Sequence, residues 1–357
     1  MHPIWTLAIA GFAVGLLFSL LLIRVAPRLG WVDHPNQSRK THHQPTARTG
    51  GLVLWGALTL AQGMGWLPWH LHPADWLGIH AMALMGALDD RFDLRARYKS
   101  LLGLTVAVLL ASHAAAGLSH TVSQVAFFDL DIPSHPLLVF PLLFAWFWGI
   151  PQAYNLIDGI NGLSMGLGLL VLELLRHQIG ASPGFFTGAL LAVFALNYPR
   201  AKHFLGDCGA LLLGTLFAVL AVKLMVAQDA DLPMWLLAYP IVDVSLVVAI
   251  RKWKHQAFST ADRSHLHHWM MDRVGQRAWL ATPLLLAVAT LPMLRATTIP
   301  GAYTLSSLGV LLLAGLALKA FLDRIMPTPK AEPAARVARE VPPLKPARQR
   351  SGAHRTL

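Results

Sequence analysis

Apolar runs separated by short polar segments fill the chain from residue 3 to residue 322. They lie near 3–24, 50–66, 74–89, 100–117, 136–154, 163–179, 183–198, 209–227, 233–250, 278–295 and 302–322. Each approaches the roughly 20 residues that carry a helix across a bilayer. The pattern therefore predicts an all-α integral membrane protein, a polytopic bundle of about eleven transmembrane helices. One segment reads differently: Val122 to Ile132 alternates apolar and polar residues, which predicts a small hairpin between the fourth and fifth runs. The first run is followed by further spans and lacks a small-residue cleavage site, so it reads as an anchor rather than a signal peptide.

Composition agrees with a membrane protein. Hydrophobic residues make up 55% of the 357 and charged residues 13%, against about 25% charge in a soluble domain. Charge also suggests an orientation. Segments 24–48, 91–99, 200–202, 251–277 and 324–355 hold 25 of the 29 Lys and Arg, and eleven spans would put all five on one side. The positive-inside rule makes that side the cytoplasm, with the N-terminus outside and the C-terminus inside. The net charge of +11 is then explained by inner loops facing anionic headgroups, and nucleic acid is not an expected partner. Residues 1–323 read as a membrane catalytic domain and 324–357 as a basic, Pro-rich cytoplasmic tail without an apolar face, expected to be disordered. Cys208 is the only cysteine, which excludes an internal disulfide and a thiolate metal cluster.

Acids are scarce, 18 in all, and several collect at the ends of apolar runs. A charge at the edge of hydrocarbon is costly and marks a functional site by default. Asp89 and Asp90 close the third run. Adjacent helical positions diverge by about 100°, so one carboxylate could hold a cation while the other serves substrate or acts as base; capping the next helix is the alternative. Asn155 and Asp158 share a face if the fifth helix extends that far, and Gly159, Asn161 and Gly162 follow. Asp207, between Gly206 and Cys208, suits an N-cap or a metal ligand near free helix N–H groups that favour phosphate. Asp243, inside an apolar run, needs a partner such as Arg251 or a loop amide, or else a place in a polar cleft. His265, His267 and His268 lie in a basic loop; phosphate contact suits them better than zinc, because three neighbouring imidazoles in a short loop cannot easily converge on one ion. The first inner loop, Trp31 to Gly51, combines Arg39, Lys40 and Arg48 with Pro-Thr and Gly-Gly rigid points, which suggests a shaped surface where lipid phosphate would lie. Oxygen ligands beside basic groups suit Mg²⁺ carrying substrate phosphates.

These motifs resemble the polyprenyl-phosphate N-acetylhexosamine-1-phosphate transferases, and within them the bacterial undecaprenyl-phosphate GlcNAc-1-phosphate group. The resemblance runs from about Trp31 to Arg277. It rests on Arg39-Lys-Thr-His42 with Pro45-Thr-Ala-Arg-Thr-Gly-Gly51, Asp89-Asp90 with Lys99, Asn155-Leu-Ile-Asp158-Gly-Ile-Asn-Gly-Leu163, Gly206-Asp207-Cys-Gly209, and Ala261-Asp-Arg-Ser-His265-Leu-His-His268. It implies transfer of a sugar-1-phosphate from a UDP-N-acetylhexosamine to undecaprenyl phosphate, with release of UMP, at the cytoplasmic face of a bacterial inner membrane. The product would start a surface polysaccharide. The resemblance further implies Mg²⁺, or Mn²⁺, held by Asp207 with Asp90. Asp89 and Asp90 would serve the lipid phosphate, with Asp158 and Lys99 also in the catalytic set. Asn155, Asn161, Arg263, Arg48 and the three histidines would bind substrate, and a homodimer is admitted. Departures from the usual pattern are Gln152, Asn161, Ala47 and Ala210; Asn161, where many members carry Asp, bears most on sugar choice. A UDP-sugar other than GlcNAc is the first alternative. A transporter is the remote one, since it would spread its ionisable groups toward the midplane.

Overall fold

The computed structural model describes residues 4–33, 45–127, 130–227, 235–253, 255 and 265–298. The elements are almost all helical: α1 (Ile4–Leu29), α2 (Gly50–Gly63), α3 (Pro73–Phe92), α4 (Ala96–Thr121), α5 (Pro136–Ile157), α6 (Leu163–Ile179), α7 (Gly184–Asn197), α8 (Gly206–Ala227), α9 (Ala238–Trp253), α10 (Leu266–Arg273) and α11 (Ala278–Thr298). Two short antiparallel pairs accompany them. β1 (Val32–Asp33) pairs with β2 (Thr46–Ala47), and β3 (Gln124–Phe127) pairs with β4 (Leu130–Pro133). The second pair is the hairpin that the alternating segment predicts.

The expectation of eleven transmembrane helices is not supported. Among the described residues four helices are long and apolar enough to cross a membrane: Trp5–Leu29, Ala96–Thr121, Pro136–Ile157 and Gly206–Leu224. α2 and α7 have 14 residues, α9 has 16 and α6 has 17, all short of the roughly 20 that span hydrocarbon. α3 has 20 residues but places Asp75, Asp89, Asp90 and Arg91 within them. An apolar run is needed for burial in protein as much as in lipid, so hydrophobicity alone overcounts spans. Four spans do not supply the strict alternation of sides on which the expected orientation depended. The eleventh run and the basic tail lie outside the described residues.

α8 is the hub. Of its most apolar stretch 89% is buried, against 17% for α1, and it packs on α2, α3 and α5. α1 lies along α7, and α4 along α5. The α3–α8 contact is close because Gly86 has no side chain: a Cβ there would run into the backbone of Asp207 and Cys208. Small residues at such crossings let helix backbones approach where lipid gives little drive for association. α3 starts with a capping box, in which His72 accepts from the Ala74 amide and Asp75 returns the bond to the His72 amide, with Pro73 in the first turn. It ends at Asp93, whose left-handed backbone (φ 49°) turns the chain back into α4. The α3–α4 turn therefore sets Asp89, Asp90 and Lys99 side by side.

Candidate active site

Four helix ends meet at one place: the C-terminal ends of α3 and α5 and the N-terminal ends of α4 and α8. Asp89 and Asp90 come from the first, Asn155 and Asp158 from the second, Lys99 from the third and Asp207 from the fourth. Lys99 Nζ lies 2.7 Å from Asp89 Oδ2 and 3.7 Å from Asp207 Oδ2. The other oxygen of Asp89 accepts from the Leu94 amide at 2.8 Å. Asp207 also faces the side chains of Asp89 and Asn155 at hydrogen-bonding distance. Two carboxylates that close need a proton or a cation between them.

Asp90 has a different task. Its two oxygens accept from the Asp207 and Cys208 amides, each at 3.0 Å, so a carboxylate on α3 caps the first turn of α8. The bonds satisfy orphan N–H groups and oppose the helix dipole. Gly206 makes this possible. Its φ is +73°, and a Cβ there would collide with the Asp90 carboxylate. Burial pushes the Asp90 carboxyl up to about 7, and the negative charge of Asp207 adds to the rise. The two amides and Arg48 pull the other way. Asp158, capping α5, is pushed up to about 8 by burial and by the charges of Asp207 and Asp90, against a hydrogen bond from Ser164 Oγ. Among the described residues Lys99 serves Asp89 and Asp207 and Arg48 lies near Asp90, so the four carboxylates outnumber their close cations, and the excess negative charge in a low-dielectric setting favours a bound cation.

Residues 203–205 hold β2, Arg48 and the start of α2 against this centre. The Phe204 amide donates to Ala47 O at 2.7 Å, and the Gly50 and Gly51 amides donate to Phe204 O and Leu205 O at 2.9 and 2.8 Å. Arg48 pairs with Asp33 and is close enough to Asp90 to favour its charged form. Burial holds the His203 imidazole down at about 4, hence neutral, beside Thr49 Oγ1 at 3.5 Å.

The histidines join from the other side. A Cβ on Gly159, next to Asp158, would run into the His267 ring, so glycine there is what lets the imidazole approach the α5 end. The His265 and His267 rings stack at 5.4 Å, and His267 and His268 lie 4.2 Å apart. Asp243 on α9 supplies their anchor: the Leu266 amide donates to Oδ1 and His265 Nδ1 to Oδ2, both at 2.7 Å. The loop amide anticipated for Asp243 is found, and His265 is the additional partner.

Of the residues anticipated from sequence, Asp89, Asp90, Lys99, Asn155, Asp158 and Asp207 come together directly, with Arg48 and His267 at their margin. Asn161 stands apart: its Nδ2 donates to Pro199 O at 3.1 Å and its carbonyl accepts from Thr282 Oγ1 at 2.7 Å. It ties the α5–α6 turn to neighbouring segments. Arg263 lies outside the described residues. Ser164, Asn197 and His203 were not anticipated. Asn197 Oδ1 accepts from the Gly162 amide at 2.7 Å, and its Nδ2 donates to His203 O at 2.9 Å; a single buried amide so bridges the two turns that carry Asp158 and Asp207. Ser164, six residues after Asp158, could have been suspected as a hydroxyl in the first turn after a glycine break.

Magnesium fits this donor set. All the candidate ligands are oxygens, and the Asp207 side chain, 27% exposed against 6% for Asp89, is open to an ion while it faces Asp89 and Asn155.

Residues 75–225, from the start of α3 nearly to the end of α8, match the family model "Glycosyl transferase family 4". The stretch contains every helix that contributes a carboxylate to the cluster. The Bacillus subtilis (strain 168) protein named "Probable undecaprenyl-phosphate N-acetylglucosaminyl 1-phosphate transferase" is 30% identical over 284 residues, covering 74% of this chain and 77% of that one. The undecaprenyl-phosphate alpha-N-acetylglucosaminyl 1-phosphate transferase of Yersinia pestis is 29% identical, over 79% of this chain and 81% of its own. The Escherichia coli (strain K12) protein of the same name is 28% identical, over 77% and 78%. With a shared catalytic core and similarity over most of both chains, the protein belongs to glycosyl transferase family 4.

Proposed function

We propose that the protein transfers N-acetylhexosamine-1-phosphate, and specifically GlcNAc-1-phosphate, from its UDP-sugar to undecaprenyl phosphate at a bacterial membrane, releasing UMP. The observation that carries this reading is the gathering of Asp89, Asp90, Asp158 and Asp207 at neighbouring helix ends, with Lys99 beside Asp89 and Asp207. The names of the three relatives supply the substrates. The product would be a lipid-linked diphospho-sugar that starts surface polysaccharide assembly.

Phosphoryl transfer depends chiefly on positioning and neutralisation of charge. Asp207, with help from Asp90, would hold Mg²⁺, which when bound offsets the negative charge of the diphosphate. An oxygen of the lipid phosphate attacks the phosphorus that carries the sugar. The bond from that phosphorus to the bridging oxygen breaks, and UMP leaves with the electron pair. Lys99, the more exposed member of its pair with buried Asp89, can turn toward an incoming phosphate while Asp89 keeps its bond from the Leu94 amide. Arg48 reaches the same region from the segment between β2 and α2 and suits a planar contact with phosphate oxygens. Asn155 and Asp158 face the donor, and His265, His267 and His268 contact its diphosphate, with Arg263 beside the sugar. Asp89 or Asp90 would take any proton left on the lipid phosphate.

Purified protein, Mg²⁺, undecaprenyl phosphate and a panel of UDP-sugars test this directly. UMP should be released fastest with UDP-GlcNAc. Turnover only with a different donor would replace the sugar and keep the reaction; no UMP from any donor would remove the transferase reading.

A further inference from the structure

Asp243 has no exposed surface and lies one and a half turns into α9, with no bond to the carboxylate cluster among its hydrogen bonds. Both its oxygens are committed to the histidine segment: Oδ1 to the Leu266 amide and Oδ2 to His265 Nδ1, each at 2.7 Å. One carboxylate therefore caps the first turn of α10 and grips the ring of the residue before it. Tyr239, one turn earlier on α9, is a further titratable group close enough to feel its charge.

With His267, the pair forms a group of three donor atoms within 4.8 Å of one another, a composition a transition metal could use. The spacing argues otherwise. Ligand atoms about 2.0–2.1 Å from one tetrahedral zinc stand roughly 3.3 Å apart, whereas 2.7 Å is the separation of a charge-assisted hydrogen bond. A proton, not an ion, bridges Asp243 and His265.

We infer that Asp243 is a positioning residue for His265: it commits the imidazole proton to Nδ1, fixes the ring plane, and leaves Nε2 as the one polar atom His265 can offer to a substrate. The inference rests on the proposed transferase reaction and refines how its histidines work. The order passes on by contact, since the His265 ring stacks on His267 and His267 lies against Gly159 beside Asp158. Carboxylate partners that set a histidine's tautomer are worth 10- to 100-fold when the histidine works at a metal, and the geometric reason is the same here.

Asp243→Asn tests it. The variant keeps the shape and one oxygen for the Leu266 amide but turns an N–H toward His265 Nδ1, so the ring must move its proton to Nε2 or rotate. UMP release should fall about 10- to 100-fold in the wild-type background. In a His265→Gln background the same substitution should change the rate by less than about twofold, because its effect passes through that ring. An equal loss in both backgrounds, or no loss in the first, overturns the inference. ¹⁵N NMR of histidine-labelled protein gives an answer that needs no turnover: the signal missing from His265→Gln should show a proton on Nδ1 in the parent. A proton on Nε2 there overturns the inference even if the enzyme is active. Absence of UMP from the parent protein with every donor would instead count against the reaction and leave the NMR result standing.

Discussion

The three-helix group α3, α4 and α8 holds buried acid near each of its two ends, Asp75 at one end of α3 and Asp89 and Asp90 at the other. At one end Asp75, in the first turn of α3, meets Lys223 of α8 at 3.2 Å and His113 of α4 at 4.0 Å, and accepts the His72 amide at 3.0 Å. About 21 Å along the same helix, Asp89 and Asp90 meet Asp207 and Asp158, with Lys99 as the close ammonium. The Asp75 end is balanced: one carboxylate, one ammonium, one imidazole and a capping bond, all within the protein. The Asp89 end has more negative charge than the described side chains neutralise, and burial together with the neighbouring charge pushes the Asp90 and Asp158 carboxyls up. A structural ion pair closes on itself, whereas a site that must receive a cation and phosphates is left incomplete.

The largest effect should come from taking a charge out of the incomplete end. Asp207→Asn removes a carboxylate that is more exposed than Asp89 and keeps the side chain's volume. A metal supplies several kcal/mol of transition-state stabilisation, so UMP release should fall about a thousandfold. The variant should still insert and fold, because α8 keeps its cap from Asp90. A Mg²⁺ titration of the rate checks this. An unchanged dependence on Mg²⁺ would show that the ion is held elsewhere and that the imbalance between the two ends has another cause.

Acidification tests the same imbalance without mutation. A carboxyl raised to about 7, as at Asp90, takes up a proton as pH falls through that value, and a cation must displace the proton to bind. The apparent Mg²⁺ affinity should therefore be steady above about pH 7 and weaken by about tenfold per pH unit below it while one proton is displaced. Isothermal titration at several pH values reads the slope. Affinity that is flat from pH 7.5 to 5.5 would mean that the cluster binds its cation without proton release, and the contrast with the balanced end would lose its electrostatic basis.

Much of the incomplete end is legible in the sequence, and the reason is chemical. Acids at the ends of apolar runs are too costly to occur by accident, so Asp89, Asp90, Asp158 and Asp207 stand out before any fold is known. How they are joined is not legible. Asp90 caps a helix that starts 116 residues later, and no local pattern links it to the Gly206 backbone that admits it. Asn197, which bridges the turns of Asp158 and Asp207, looks like an ordinary polar residue before Tyr198 and Pro199. His265 could be seen as a candidate, but its tie to Asp243 depends on the packing of α9 against a loop. The count of spans fails for the opposite reason. Helices of 14 to 17 residues packed within the bundle are as apolar as membrane helices because protein, like lipid, excludes water, and length decides between them only once the ends are known. Conversely the hairpin at residues 124–133 was readable, since alternation specifies a strand directly.

The smallest effect should come from the balanced end. Asp75→Asn keeps an acceptor for the His72 amide but discharges the partner of Lys223 and His113. Lys223 is 44% exposed and can rehydrate, which screens the loss relative to a fully enclosed pair. Stability of the protein in detergent should drop by about 1 kcal/mol, read as a lower midpoint of thermal unfolding. The rate of UMP release per folded molecule should stay within about twofold of the parent, since no group at that end touches substrate and about 21 Å of helix separates it from Asp89. Loss of turnover with unchanged stability would show that the two ends communicate along α3 and α8, and that the distant ion pair belongs to the working machinery rather than to the scaffold that holds it.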